Sequence, residues 1–91
     1  MRGHRGPHSK LATKGARGGI YINPKVPSTY KRIAMRSRLI KHEKTEHKLM
    51  KQGMSYRKAH AKALKVEHKG LTKHQIAVYE GKLGSIARHG S

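Results

Sequence analysis

Histidine and glutamate side chains, which bind divalent metal ions and transfer protons near neutral pH, cluster in one stretch of the sequence. Three of the four acidic residues and four of the eight histidines lie between positions 42 and 68. Within "HEKTEH", His42 and Glu46 are four residues apart, as are Glu43 and His47, so each pair shares one face of a helix. Two ligands at this spacing can bind one metal ion. The candidate metal ligands are His42, Glu43, Glu46, His47, His60 and Glu67.

A structural interpretation of the same cluster stays open beside the metal site. Glu43 and Glu46 have lysines around them, and such pairs stabilise an exposed helix by about 0.2–0.5 kcal/mol each. Inward-facing charged pairs can also fix the register of a helical hairpin. The motif is HExxE, whereas zinc proteases use HExxH. We expect no cofactor if the cluster is structural, and zinc or manganese if it is a metal site. The chain has no Asp, and its sequence identifies no catalytic nucleophile. Whether the protein is an enzyme stays open, and we favour a protein that is not one.

Turn and capping residues define the elements that must position this cluster. Gly53 fits the left-handed residue that ends a helix. Ser55 can cap the next helix, and the short connection makes the two helices antiparallel. "TKHQ", beginning at Thr72, is a capping box that opens a third helix. Counting outward from Gly53 predicts that Glu46 and His47 lie roughly opposite His60. It places His42 or Glu43 towards Ala63 and Glu67. The predicted helices span about residues 29–52, 56–69 and 73–80.

The N-terminal part of the chain differs from the rest in composition. Residues 1–19 are rich in glycine and basic residues and contain no acid, which is typical of a flexible nucleic-acid-binding tail. Ile20 to Ile22 form a short β-prone run after it. We therefore predict a basic extension followed by one small domain, residues 20–91. The expected fold class is mainly α, a two- to three-helix bundle with a short strand or extended segment.

The charge of the chain indicates its class of partner. Twenty-two Lys and Arg against four acids give a formal net charge of +18, so a compact form is favoured by a polyanion. Trp and Phe are absent, which argues against a membrane surface as that partner. Without cysteine, a metal would need His and Glu ligands. No secretory h-region or membrane-spanning run is visible, so we expect a soluble, cytoplasmic protein.

Basic residues also form a stripe along the second predicted helix. Lys58, Lys62, Lys65 and Lys69 recur at helical spacing on the side opposite the expected core. A merely soluble surface mixes both signs of charge, so the stripe favours nucleic-acid binding by phosphate neutralisation. RNA is preferred to DNA as the partner. The candidate nucleic-acid-binding residues are Arg2, Arg5, Lys10, Lys14, Arg17, Arg32, Arg36, Arg57, Lys58, Lys62, Lys65 and Lys69.

The stretch "HEKTEHKLMKQGMSYRKAHAKALKVEH" resembles a helical-hairpin pattern, HExxE then LMxxGMSYxxAHxxAxxxE, of phage-associated and toxin-associated proteins. The resemblance implies a metal-binding role for His42, Glu43, Glu46, His60 and Glu67. The plan of a basic tail on a tiny domain resembles small ribosomal proteins, which contact neighbouring proteins in a large assembly. The first functional interpretation is an RNA-binding structural component of a ribonucleoprotein, with the ribosome as first choice. The alternative is a metal-dependent hydrolase or nuclease that uses the His and Glu cluster.

Overall fold

The computed structural model describes residues 11–14 and 19–89, and the backbone alone for residues 13, 14 and 89. Three helices and two short strands make up a small, mainly α fold, as the sequence predicts. The helices are α1 (Met35–Lys51), α2 (Tyr56–Glu67) and α3 (Lys73–His89), and the strands are β1 (Ala12–Lys14) and β2 (Ile20–Ile22).

All three predicted turn and capping residues have the expected geometry. Gly53 has a φ of +99° after α1, and the N–H of Met54 donates to the carbonyl of Leu49 at 3.0 Å, which closes a Schellman motif. The hydroxyl of Ser55 accepts from the N–H of Lys58 at the start of α2. Thr72 exchanges two hydrogen bonds with Gln75, of 3.0 and 3.1 Å, and so forms the capping box. The predicted antiparallel α1–α2 hairpin is therefore confirmed.

The first helix begins at Met35, so the predicted start near residue 29 is wrong. Tyr30 and Ile33 pair across a tight turn, and the two residues between them have left-handed φ angles of 49° and 71°. A helix cannot run through residues in that conformation. The turn and the residue on each side of it, 29–34 in all, replace the first six predicted helical residues.

The third helix is longer than predicted, reaching His89 where the sequence predicts an end near residue 80. Its additional turns bury Leu83, Ile86 and Ala87 in the apolar core. Burial of this face outweighs the weak helix propensity of Gly81 and Gly84, because packing supplies most of the stability of a helix in a protein.

The predicted boundary of the tail at residue 19 is wrong for residues 11–14. Strand β1 pairs with β2 in an antiparallel register that sets Ala12 opposite Ile22. Leu11 and Ala12 are buried in the core, and the carbonyl of Leu11 accepts from the N–H of Asn23 at 2.8 Å. The predicted strand at Ile20–Ile22 is confirmed as β2. Residues 1–10 and 15–18 of the predicted tail lie outside the described residues.

The interior has an apolar part and a polar part. The apolar part lies where the strands, the N-terminal half of α1 and α3 meet, and the polar part lies in the seam between α1 and α2. Among the described residues, no helix is both long enough and apolar enough to cross a membrane. The buried apolar residues of the first part are Leu11, Ala12, Val26, Ile33, Met35, Leu39, Tyr79, Leu83, Ile86 and Ala87.

Candidate metal centre

The seam between α1 and α2 buries charged side chains because small residues let the helices come close. Ala59 and Ala63 of α2 are fully buried against α1. His42, with no exposed surface, lies in the same seam. Three glutamates accompany it, each 3% exposed. Charged groups in such a site must be compensated by one another or by an ion. These glutamates are Glu43, Glu46 and Glu67.

Three side-chain atoms in the seam lie close to one another. His42 Nε2 lies 3.2 Å from Glu46 Oε2 and 3.2 Å from His60 Nδ1. Glu46 Oε2 and His60 Nδ1 are 2.7 Å apart. In a tetrahedral zinc site with bonds near 2.0–2.1 Å, neighbouring ligand atoms are about 3.3 Å apart. Two edges of the triangle match this separation to about 0.1 Å, and the edge between Glu46 and His60 is shorter by about 0.6 Å.

The other ring nitrogen of His42 is held by a second carboxylate. His42 Nδ1 donates to Glu67 Oε1 at 2.5 Å, and the hydroxyl of Tyr79 donates to Glu67 Oε2. A histidine ligand of a metal ordinarily donates its second N–H to a carboxylate, which fixes the ring and directs the other nitrogen at the ion. Tyr79 and Glu67 thus hold His42 in the orientation that a ligand needs.

The carboxylates determine the protonation of His42 in the metal-free protein. Burial lowers the pKa of His42, but hydrogen bonds to Glu46 and Glu67 and the charges of both carboxylates outweigh it and raise that pKa to about 9. The imidazole is therefore charged at neutral pH and lies between two carboxylates. Burial, followed by the charge and hydrogen bond of Glu67, raises the pKa of Tyr79 far above its usual value, so its phenol remains a donor.

His60 connects the buried triangle with the surface. Its side chain is 29% exposed, and the ring of Tyr56 stacks on it with centroids 5.3 Å apart. The Tyr56 hydroxyl also lies 3.4 Å from His60 Nδ1. His60 is therefore the most exposed member of the triangle, whereas His42 is enclosed.

Two more sets of potential ligands flank the triangle. Glu43, Glu46 and His47 bring ligand atoms within 4.8 Å of one another, and His47 Nε2 lies 3.5 Å from Glu43 Oε1. At the other end of α2, Glu67, His68 and Glu80 do the same, with His68 Nε2 2.5 Å from Glu80 Oε2. All six candidate metal ligands therefore lie in one continuous seam: His42, Glu43, Glu46, His47, His60 and Glu67.

The basic residues predicted to bind nucleic acid have different environments. Arg36 is half-buried and donates through Nε to the carbonyl of Val26 at 2.6 Å and through Nη2 to that of Pro24 at 3.1 Å, so it also holds a loop. Arg2, Arg5, Lys10 and Arg17 lie outside the described residues, and only the backbone of Lys14 is described. The exposed members of the set are Arg32, Arg57, Lys58, Lys62, Lys65 and Lys69.

A basic groove lies at the far end of the same seam. It has a volume of about 370 Å³, and Arg38, Lys41 and Lys69 line it together with Ser37. Arg38 Nη1 donates to the carbonyls of Glu67 and Lys69, at 2.8 and 2.7 Å. The groove therefore adjoins the backbone of the residue that holds His42.

The sequence pattern missed the supporting tyrosines. The bond from Tyr79 to Glu67 was not predicted, because the packing of α3 on the hairpin determines it. Tyr56 shares the inner face of α2 with His60 at a spacing of four residues, which is the signal that could have identified it. Comparisons of the chain with protein-family models, curated proteins and solved structures found no match.

Proposed function

We propose that the protein binds nucleic acid and hydrolyses it at one divalent metal ion, zinc in preference to manganese, held by His42, Glu46 and His60. The observation that carries the proposal is the triangle of donor atoms with edges of 3.2, 3.2 and 2.7 Å. Two histidines and one glutamate form a donor set of catalytic zinc sites, in which water or substrate takes the fourth position.

The buried charges support the same proposal. One histidine and three glutamates are buried in the seam of a chain of only 91 residues, where burial of charge is costly. A divalent cation would compensate the carboxylates, and it would take the place of the proton on His42 Nε2. The resemblance of this stretch to a metal-binding hairpin pattern points to the same residues.

The chemistry follows from the residues around the triangle. A bound zinc ion lowers the pKa of water toward neutrality and polarises a phosphoryl oxygen. Glu43, within 4.8 Å of Glu46 in the cluster with His47, is the proposed general base. Water adds to phosphorus, the bond to the leaving oxygen breaks, and the proton lost by water passes to that oxygen. The net charge of +18 favours a polyanionic substrate.

Calorimetry with the metal alone tests the first half of the proposal. Protein stripped with EDTA is titrated with zinc chloride and, separately, with manganese chloride. We expect one ion per chain with release of protons, since ligands must be deprotonated to bind. His60→Ala should weaken binding by more than about tenfold. The matched control is His74→Ala at an exposed position. Equal affinity in both variants, or no binding in the wild type, would refute the site.

Cleavage of fluorescent RNA and DNA oligonucleotides tests the second half. The zinc-loaded protein should cleave at least one of them, and Glu43→Gln should reduce the rate by roughly 10²-fold or more while the metal remains bound. His60→Ala should abolish cleavage and leave affinity for the oligonucleotide nearly unchanged. Stoichiometric metal without cleavage of either polymer would refute the hydrolase and leave a metal-binding protein.

A second candidate function is favoured by the exposed lysines of α2. Lys58, Lys62 and Lys65 are exposed on the side of α2 away from buried Ala59 and Ala63, and exposed Lys69 follows the end of the helix. This surface suits an RNA-binding structural component of a ribonucleoprotein, foremost the ribosome, surrounded by neighbouring proteins. About ten phosphate contacts would give a slope near −9 for log affinity against log salt on duplex DNA, and less on single strands.

Analysis of the protein from its native host separates the two functions. Co-purifying ribosomal RNA without stoichiometric metal supports the structural role. One zinc or manganese ion per chain without a defined RNA supports the hydrolase. For both functions we propose a cytoplasmic location.

A further inference from the structure

The turn between Tyr30 and Ile33 has an unusual sequence for its shape. The two residues exchange backbone hydrogen bonds of 3.0 and 2.9 Å, and the central residues, Lys31 and Arg32, have φ angles of 49° and 71°. A two-residue loop with both φ angles positive is a type I′ turn, which strongly prefers Asn-Gly. Long side chains at both positions are strained relative to that choice.

The neighbouring structure holds this conformation in place. Ile33 is 2% exposed in the apolar core, and Met35 just after it is fully buried. The loop before the turn is fixed by Arg36, whose guanidinium bonds the carbonyls of Val26 and Pro24. Lys31 and Arg32 themselves are exposed, so their side chains add nothing to the core. Burial in the core does not account for the choice of these two residues.

A third cation meets the turn from α3. Lys82 Nζ lies 4.9 Å from the centroid of the Tyr30 ring, and Lys31 Nζ lies 5.5 Å from the same centroid. Each lysine gains a cation–π contact, but the two like charges repel each other. The four glutamates of the chain contact histidines elsewhere: Glu43, Glu46, Glu67 and Glu80. An anion bound between the cations would relieve the repulsion.

We propose that the turn at residues 30–33 is a phosphate-binding tip, at which Lys31, Arg32 and Lys82 contact neighbouring phosphates of a nucleic-acid strand. The proposal rests on the nucleic-acid binding proposed above. The side chains at the tip are cationic, while Ile33 is buried and Tyr30 half-buried, so the tip presents no apolar group for insertion into lipid. Nucleic acid is therefore the polyanion that this tip fits.

A double variant separates the effect of backbone strain on stability from the effect of charge on RNA binding. Lys31→Asn with Arg32→Gly installs the sequence that a type I′ turn prefers and removes two positive charges. Its melting temperature should equal or exceed that of the wild type, because the turn loses strain. Its affinity for a fluorescent single-stranded RNA should fall, and the slope of log affinity against log salt should flatten by about 1.4 for two lost phosphate contacts.

Two further double variants complete the experiment. Lys31→Gln with Arg32→Gln removes the same charges but keeps side chains in the strained positions, so affinity should fall as much without a gain in stability. Lys44→Gln with Lys48→Gln removes two exposed charges from α1 and serves as the matched control. The slope of log affinity against log salt should change in this control by less than half of the change in the turn variants.

Each outcome decides a different point. A wild type that binds RNA, with both turn variants equal to the control, would overturn the tip alone. A drop in melting temperature for the Asn-Gly variant would give Lys31 and Arg32 a structural role instead. If the two turn variants lost binding to phosphatidylserine vesicles but kept binding to RNA, the partner of the tip would be a membrane. A wild type without salt-dependent binding would overturn nucleic-acid binding itself, and the tip with it.

Discussion

The two halves of α1 are stabilised by different physical effects. Met35 and Leu39 in the N-terminal half pack into the apolar core, whereas His42 and Glu46 in the C-terminal half lie in the charged seam with α2. Burial of apolar area depends little on pH or metal ions. Pairing of buried charges depends on both. Protonation, and the metal binding proposed above, would therefore act on one half of the helix while the other half stays anchored.

The largest effect is expected from Glu67→Ala in the charged half. The change leaves His42 with one carboxylate instead of two and removes the acceptor of Tyr79. We expect the free energy of unfolding at pH 7 to fall by about 3–5 kcal/mol, as when one partner of a buried ion pair is removed. Urea denaturation measures it. Glu80→Ala, at an exposed pair with His68, is the control, and an equal loss there would contradict the buried role of Glu67.

Leu39→Ala should have a similar or slightly smaller effect in the apolar half. Leu39 is 3% exposed, and removal of such a side chain costs about 2–5 kcal/mol. The loss should be the same at pH 6 and at pH 9, since no titrating group is removed. If the loss changes with pH by more than about 1 kcal/mol, the two halves of α1 are coupled and the comparison fails.

The charged half should make the stability of the metal-free protein depend on pH. Because the pKa of His42 is raised from 6.5 to about 9 in the folded state, the stabilisation is complete below pH 6.5 and is lost as the pH rises through 9. We expect a decrease of up to about 3 kcal/mol over this window, measured with EDTA present. With saturating zinc the trend should reverse, because metal binding is favoured by deprotonation. The same downward slope with and without zinc would remove His42 from the ligand set.

Tyr79→Phe should have the smallest effect of the four. It keeps the ring in the core and removes one donor to Glu67, which costs about 1–3 kcal/mol when the acceptor is left buried. Zinc affinity should also fall, by roughly tenfold, because Glu67 orients His42 less firmly. Calorimetry on the folded variant measures this. Tyr21→Phe, at an exposed strand position, should change neither quantity.

The predictable part of the molecule is the part that local chemistry determines. Gly53, Ser55 and Thr72 fix the ends of the helices by hydrogen bonds within a few residues, and these are visible as residue types at set spacings. Because the connection between α1 and α2 is short, counting residues outward from Gly53 predicts which residues of the two helices lie opposite each other. The meeting of Glu46 with His60 was predicted in this way, and it is confirmed at 2.7 Å, whereas His47, predicted to lie beside them, contacts Glu43 at 3.5 Å.

The missed features depend on contacts between distant parts of the chain or on an uncommon turn sequence. Strand β1 is stabilised by its pairing with β2 and by the core. Its own residues do not show this, so the sequence pattern assigned them to the tail. The bond from Tyr79 to Glu67 requires α3 to dock on the hairpin. The turn at Lys31 and Arg32 lacks the Asn or Gly by which such turns are recognised. Metal binding, nucleic-acid binding and the resemblance to a hairpin family stay predictions.

The Schellman turn at Gly53 has a consequence for the order of folding. All three donor atoms of the triangle belong to residues 42–60, a segment of adjacent helices closed by one tight turn. Contacts between residues so near in sequence form with little loss of loop entropy, and proteins rich in such contacts fold fast. The hairpin can thus bring its His and Glu side chains together before β1, β2 and α3 are in place. Docking of α3 then adds the hydrogen bond from Tyr79 to Glu67.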